Sequence, residues 1–279
     1  MRRVRGFVLA ELLVAMLIAA IIGVSLTQLV ISQSRFVALQ SAIMQARGGA
    51  RAALNVMAGD FRMVGDSGLV AATPESVTVR VPYAFGVSCL QSAGKTLVSL
   101  LPADSAAFAS ATSSGYAWRD STGKFVFVQP ATVTTSLWFL CSWPFTSPSI
   151  TTLGTAGWSP SVVAVGPNDS RSPPGSVVYL YQLIRYAFAP SGQLPGRIGL
   201  WRTVLTTGER DELVAPFDST AGFQFLDSTY TAAASPPADL NRVKGLRLLL
   251  VSTSEQPPEG RTLPMKFNLT TNVAFRNHS

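Results

Sequence analysis

The chain has 279 residues, of which 47% are apolar and 13% charged, with 22 Lys and Arg against 15 Asp and Glu. That length fits one large domain or two small ones. The charged fraction lies well below the roughly 25% of an average soluble domain, which disfavours both an acidic disordered chain and a nucleic-acid-coating protein. The only histidine is His278. Because histidine supplies much of the acid–base and metal chemistry at neutral pH, a single histidine beside the C-terminus disfavours most classes of enzyme.

The N-terminal residues combine a basic leader with a long apolar stretch. Residues 1–6 read MRRVRG, and residues 7–31 contain one ionisable side chain, Glu11. At about 1.5 Å per residue, about 20 of these positions already span about 30 Å, the thickness of a bilayer core. The positive-inside rule places the arginines in the cytoplasm and the rest of the chain outside it. Without the three leader arginines the formal charge falls from +7 to +4, an ordinary value that supports neither a nucleic-acid patch nor an anionic-lipid patch, so no nucleic-acid partner is expected.

The apolar pattern continues beyond residue 31 with the three- and four-residue spacing of a helix. Its members are Phe36, Leu39, Ile43, Ala46, Ala50, Leu54, Met57, Phe61 and Val64. No proline occurs from residue 7 to residue 64, which predicts one helix of about 58 residues, about 87 Å long, with a weak point at Gly48-Gly49. A removable signal peptide or a plain membrane anchor is the alternative, although the apolar run is longer than a signal's and shows no break at its end.

From residue 65 onward, apolar residues recur with the period of two that is typical of strands. Pro, Gly, Ser and Asp separate the strand segments, and the loop at 190–196 predicts a long antiparallel hairpin between its two neighbours. The Ser- and Ala-rich segment 105–115 is predicted to be a surface loop. The sequence therefore predicts an α+β fold, with a long helix packed on an antiparallel β-sheet domain. The predicted strands are 76–83, 124–128, 136–142, 161–165, 176–189, 198–205, 222–226, 243–252 and 264–275.

Several short motifs that suggest an enzyme lack the residues their chemistry needs. The GDSG at 65–68 matches the sequence around the nucleophile of chymotrypsin-like proteases, but His278 is the only candidate base. The AGKT at 93–96 lacks the first glycine of a phosphate-binding loop and is followed by a proline instead of a helix. Two cysteines and one distant histidine cannot supply a four-ligand zinc site. No catalytic residue, cofactor or metal is therefore expected.

The two cysteines, Cys89 and Cys141, both fall in the part of the chain predicted to lie outside the cytoplasm. Thiol pairs are usually oxidised there, so we expect a disulfide between them. Neither lies in a Cys-x-x-Cys motif, which disfavours a redox enzyme. The alternative is two buried free thiols.

Glu11 is unusual because a carboxylate within an apolar span is costly and usually functional. Arginines precede Gly6-Phe7, Glu11 is the fifth residue after Gly6, and a long apolar helix follows. This combination resembles the class III signal of type IV prepilins and of type II secretion pseudopilins. The resemblance implies that a membrane peptidase cuts after Gly6 and methylates the new N-terminus, Phe7. It also implies that Glu11 pairs with the Phe7 amine of a neighbouring subunit during assembly.

The resemblance extends beyond the signal. Residues 31–65 resemble the helix of PilW-type minor pilins, which closes with an acidic residue, a basic residue and a glycine, here Asp60, Arg62 and Gly65. Segments such as YQLIRYAF and GLWRTV resemble the PilW and GspJ families, with a looser likeness between residues 85 and 175. Gln28 stands about where major pilins usually carry a helix-bending proline, which favours a minor subunit.

The resemblance implies a type IV pilin-like fold with a leader at 1–6, a transmembrane half-helix at 7–31, an amphipathic half at 32–64 and a β-rich extracytoplasmic domain at 65–279. The expected partners are other minor and major pilins, the prepilin peptidase and the inner-membrane pilus assembly platform. The expected location is the bacterial inner membrane, crossed once with the N-terminus cytoplasmic and the C-terminal domain periplasmic, and then a pilus or pseudopilus. A GspJ-like pseudopilin of type II secretion is the closest alternative. A membrane-anchored extracytoplasmic binding module or enzyme is an alternative of another class.

Overall fold

A computed structural model describes residues 9–136, 141, 162–169 and 174–275 of the chain. Its first element is helix α1, Leu9–Met63, which runs without interruption for 55 residues. The predicted continuous helix is thus confirmed over the described residues, and Gly48-Gly49 do not end it. The helix stops just before Gly65, and a turn in which Gly68 N–H donates to Gly65 O leads into the first strand.

The rest of the described chain is mainly antiparallel sheet, with a short helix, α2, at Pro102–Ser110. The strands are β1 Leu69–Ala72, β2 Ser76–Ser92, β3 Lys95–Leu100, β4 Gly115–Arg119, β5 Phe125–Val128, β6 Thr132–Ser136, β7 Val162–Gly166, β8 Val177–Pro190, β9 Ile198–Val204, β10 Arg210–Phe217, β11 Gly222–Leu226, β12 Ala232–Ala233, β13 Gly245–Thr253 and β14 Lys266–Ala274. Together these elements form an α+β fold.

The strands described join in one sheet with the order β12-β11-β13-β10-β9-β8-β2-β3-β7-β6. Strand β14 pairs with β13, strand β1 pairs with β2, and the β4–β5 hairpin attaches to β8. The predicted hairpin around residues 190–196 is confirmed, because β8 and β9 pair antiparallel from Ile184–Val204 to Pro190–Ile198. Strand β8 also pairs with β2 along most of its length, so these two long strands form the centre of the sheet.

The structure also contains elements that the alternation pattern did not predict: β1, β3, β4, β6, β10, β12 and α2. The prediction of a surface loop at 105–115 was wrong for residues 105–110, which belong to α2, and for Gly115, which is buried and begins β4. A proline in the first turn, where its missing N–H costs nothing, starts this helix. Phe108 then packs against the core beneath it. The predicted strand at 136–142 lies mostly outside the described residues.

The second half of α1 packs on the sheet through one narrow stripe. Its buried residues are Ala42, Ala46, Ala50, Ala53, Met57, Ala58 and Phe61, and Val64 continues the stripe just beyond the end of the helix. From Ala50 onward these residues belong to the main core, which also contains residues of β8, β11, β13 and neighbouring strands. The prediction of the buried face was correct from Ala46 onward, but Phe36 is 61% exposed. Periodicity identified the apolar face of the helix but not the point at which the sheet stops covering it.

A second core lies toward the β3–β7 side of the sheet, beneath α2. It contains Trp118 and Tyr116, both fully buried, together with Val98, Leu100 and Leu180. The Tyr116 hydroxyl donates to Pro167 O at 2.5 Å. Burial, with a smaller contribution from the negative charge of Asp169, raises the pKa of Tyr116 to about 12. This core is separate from the one that holds the helix.

Candidate functional site: the exposed apolar half of helix α1

No other described helix or strand covers the first half of α1, residues 9–31, which is apolar on all sides apart from Glu11 and three uncharged polar residues. Every residue from 11 to 37 is exposed, including fifteen large apolar side chains such as Leu12, Ile18 and Ile22. The most apolar 18-residue window has a mean hydropathy of 2.4, and none of it is buried. A soluble helix normally has a polar face, whereas a helix that is apolar all round belongs in a protein core or in a membrane. This helix is long and apolar enough to cross a membrane.

Two hydroxyl groups within this half are satisfied by the helix itself. Ser25 Oγ donates to Ile21 O at 2.9 Å, and Thr27 Oγ1 donates to Gly23 O at 2.8 Å. Hydroxyls bonded in this way need no partner from water or another chain, so they add little to the cost of placing the helix in lipid.

Glu11 lies in the first described turn of α1 and is exposed. It shares one shallow face with Val14, Ala15 and Ile18, so the surroundings of its carboxylate on that face are apolar. Gly6 and Phe7, the predicted processing residues, lie outside the described residues. The structure therefore places Glu11 within the exposed apolar half but does not test its predicted pairing.

The helix meets the sheet at its small residues, where the backbones approach closely. The Ser252 hydroxyl of β13 donates to the carbonyl oxygen of Ala46, and Glu255 N–H donates to Gln45 Oε1 at 3.3 Å. The guanidinium of Arg47 lies over the ring of Phe267, 5.5 Å from its centroid. These contacts fix the height at which β13 and β14 meet the helix.

A polar cluster holds the other end of the helix. Tyr186 of β8 donates its hydroxyl to Asp60 Oδ2 at 2.5 Å, and Arg202 Nε of β9 lies 3.9 Å from the same oxygen. Burial, and next the negative charge of Asp60, raise the pKa of Tyr186, which keeps its hydroxyl protonated as a donor. The sequence singled out Asp60 but gave no sign of its two partners, because they lie more than a hundred residues away. The cluster positions α1 on the sheet.

The structure joins Cys89 and Cys141 in a disulfide, as predicted, with Cα atoms 5.5 Å apart. Both cysteines are buried against Leu97, Val162 and Ala164. The bond ties β2 to a point 52 residues later in the chain. It belongs to a buried cluster that is separate from the core on which α1 packs, which makes it a structural bond of the β domain.

The two enzyme-like motifs are turns in the structure. The GDSG at 65–68 connects α1 to β1, and Arg80 Nη1 donates to Ser67 O at 2.6 Å. The AGKT at 93–96 forms the β2–β3 hairpin, in which Ala93 and Gly94 have φ values of 50° and 75°. Positive φ at both central residues is the requirement of a type I′ turn. His278 lies outside the described residues.

Across the described part of the chain, no group of three or more His, Cys, Asp or Glu side chains could hold a metal ion. Comparisons of the chain with models of protein families, with curated proteins and with solved structures found no match. The candidate functional site is the exposed apolar half of α1 with Glu11. This surface can enter lipid or pack against other apolar helices.

Proposed function

We propose that the chain is a prepilin that matures into a PilW-type minor pilin. In this proposal a prepilin peptidase cuts between Gly6 and Phe7 at the cytoplasmic face of the inner membrane and methylates the Phe7 amine. The mature subunit waits in the membrane with its β domain in the periplasm. It then joins other minor and major pilins at the assembly platform and acts in the initiation, assembly or tip of a type IV pilus.

The main support for the proposal is that the two halves of the continuous helix α1 have different surroundings. The first half of α1 is exposed and apolar all round, and the second half is anchored to an antiparallel sheet by a buried stripe and a polar cluster. A membrane anchor needs no rigid connection of this kind. A filament subunit does, because the β domain must keep a fixed position while the apolar half moves from lipid to a bundle of like helices.

In this assembly, Glu11 fixes the height of each subunit relative to its neighbour. After cleavage, the Phe7 ammonium and the Glu11 carboxylate of one chain are four residues apart, about one helical turn. Either charge is costly in lipid unless it is paired, so a neighbouring subunit is favoured at the height where amine and carboxylate meet. Apolar contacts alone would tolerate sliding, whereas a charge pair penalises a shifted neighbour.

Variants of Glu11 test this role. We expect Glu11→Ala and Glu11→Gln proteins to be processed and to remain in the membrane fraction, because each change makes the span less costly to insert. Both should be poorly recovered in sheared filaments and in crosslinks to partner pilins. Ser25→Ala is the matched control, because the Ser25 hydroxyl bonds only its own helix in the contacts described. Wild-type recovery of the Glu11 variants in filaments would refute the assembly role.

Deletion of the gene separates the pilus from type II secretion. Loss of surface pili and twitching is the expected result. Loss of exoprotein release with normal pili would instead assign the chain to a pseudopilus of the GspJ type. Normal pili together with normal secretion would refute both assignments.

A further inference from the structure

The loop between β13 and β14, residues 254–265, lies beside α1 at the point where the helix leaves its exposed apolar half. Residues 258–261 of this loop line a shallow groove together with Arg35, Phe36 and Leu39 of the helix. A side-chain carbon added to Gly260 would lie 4.0 Å from Arg35 Nε, so the loop approaches the side chain of Arg35. Leu263 follows Arg261 by two residues in the same loop and lines a separate groove with Ile198 and Phe217. We call Arg35, Phe36 and Arg261, together with the exposed Leu263 of the same loop, the juxtamembrane patch.

The loop is held in a defined shape. At its base, Ser254 N–H donates to Met265 O at 2.8 Å and Met265 N–H donates to Ser254 Oγ at 3.0 Å. At its tip, Arg261 N–H donates to Pro258 O at 2.9 Å. Ser254 is fully buried. The loop therefore presents its outer side chains without having to fold first, which lowers the entropic cost of binding a surface.

The position along the helix gives the depth of the patch. Arg35 follows residue 31, the end of the apolar stretch, by four residues, or about 6 Å along the helix axis. The polar headgroup layer on each side of a bilayer is about 5–8 Å thick. The 23 residues 9–31 measure about 34 Å along the helix axis and fit a hydrocarbon core of about 30 Å when the helix is tilted by about 30°. Arg35 and the loop that touches it then lie within the headgroup layer.

The side chains of the patch suit that layer. Phe36 is 61% exposed and Leu263 is 73% exposed, so both present apolar surface that water does not favour. Arg35 and Arg261 carry guanidinium groups, which match phosphate oxygens in two-point contacts. The loop also carries Glu255 and Glu259, both exposed. The patch is therefore not strongly basic, and short-range contacts matter more than long-range attraction.

We propose that the juxtamembrane patch docks on the phospholipid headgroups of the membrane that α1 spans. Arg35 and Arg261 bind lipid phosphates, while Phe36 and Leu263 enter the boundary between headgroups and acyl chains. The docking fixes the tilt of the β domain on the membrane before the subunit leaves it. This inference rests on the membrane-spanning part of the proposed function and is independent of which filament the subunit joins.

Fluorescence quenching by lipids tests the contact. The full chain with Leu263→Cys carries an environment-sensitive fluorophore and is reconstituted into vesicles of phosphatidylethanolamine and phosphatidylglycerol that contain a shallow lipid quencher. Leu205→Cys is the matched control, because Leu205 is 43% exposed and follows the distal end of β9. The near end of β9 starts beside Arg197, whose Nη2 donates to Glu255 O of the loop at 3.4 Å. The two ends of this seven-residue strand are six residue steps, or about 20 Å, apart. Ile22→Cys reports insertion of the apolar half.

We expect the label at residue 263 to be quenched at least about twofold more than the label at residue 205, as an interfacial apolar group is. Quenching should persist in high salt and decrease when Arg261→Ala is added. Quenching at residue 22 without quenching at residue 263 would overturn the docking proposal and leave the membrane span intact. Absence of quenching at both positions would overturn the docking proposal and the membrane span together. Undiminished quenching in the Arg261→Ala background would overturn the assigned role of the guanidinium group.

Discussion

Replacing Phe61 by alanine tests whether the second half of α1 is bound to the sheet by its buried stripe. Phe61 is fully buried. Its ring centroid lies 5.4 Å from that of Tyr186 and 6.4 Å from that of Phe223, both in edge-to-face geometry. Truncation of a buried phenylalanine costs about 3–5 kcal/mol. Because the change also removes two favourable ring contacts, we expect a loss of about 4 kcal/mol in the free energy of unfolding.

The assay is urea unfolding of the full chain in a non-ionic detergent, followed by the fluorescence of its five tryptophans, all of which come after residue 64. For an unfolding slope of about 2 kcal/mol per molar urea, that loss lowers the midpoint by about 2 M. Arg62→Ala is the control, because Arg62 is the exposed neighbour of Phe61 on the helix, and its change should stay within about 0.5 kcal/mol. A Phe61→Ala midpoint equal to that of Arg62→Ala would refute the packing.

Three further changes test the polar cluster, the disulfide and a surface ion pair. Tyr186→Phe should lower the free energy of unfolding by about 1–3 kcal/mol, because the carboxylate of Asp60 loses its buried donor; an unchanged urea midpoint would contradict this. Cys141→Ala should cost about 4 kcal/mol in the chain-entropy model for a 52-residue separation, and two cysteines that label in unfolded, unreduced wild-type protein would show that the bond is absent. The hydrogen bond from Lys266 lowers the pKa of Asp218. At a pH above the ordinary pKa of an aspartate, this ion pair therefore stabilises the folded state. The stabilisation is lost as the pH falls through the lowered pKa of Asp218. Asp218→Asn should therefore lower the free energy of unfolding by about 1 kcal/mol at pH 7 and leave it unchanged at acid pH. Urea midpoints measured over a range of pH test this, and a loss that is the same at every pH would refute the electrostatic account.

The long helix could be predicted because its signal is local. A continuous apolar stretch, the absence of proline and three- and four-residue spacing all act within a few turns, and the structure has α1 at Leu9–Met63. The same pattern could not show that Phe36 is exposed. Helical periodicity reports an apolar face, and the face looks alike whether a sheet, a lipid or another subunit covers it.

The strands, too, divide into those that a local pattern predicted and those that it did not. Strand β8 has a clear alternation and was predicted nearly to its ends. Strand β3 was missed because five of its six residues are buried, so the alternation of a half-exposed strand is absent. Helix α2 was missed although alanine favours a helix and a proline stands in its first turn, because nine residues with one large apolar side chain show no helical period. Its one large apolar residue, Phe108, packs against the second core.

The candidate site was partly readable from the sequence. Glu11 could be singled out because a carboxylate within an apolar run is conspicuous, and the cysteines could be paired because only two exist. The partners of Asp60 could not, since Tyr186 and Arg202 reach it only when the β8–β9 hairpin is folded beneath the helix. Long-range contacts of this kind leave no local pattern in a single sequence.

The N-terminal residue of the mature protein tests the central claim most directly. The chain would be produced with an active prepilin peptidase, extracted from membranes and analysed by mass spectrometry of its intact mass and N-terminal peptide. We predict that the mature chain begins at Phe7 and carries one methyl group on its amine. A chain that begins near residues 25 to 35 would show ordinary signal-peptidase cleavage, and a chain that retains the leader MRRVRG would show no processing. Either result would contradict the assignment to the pilin class.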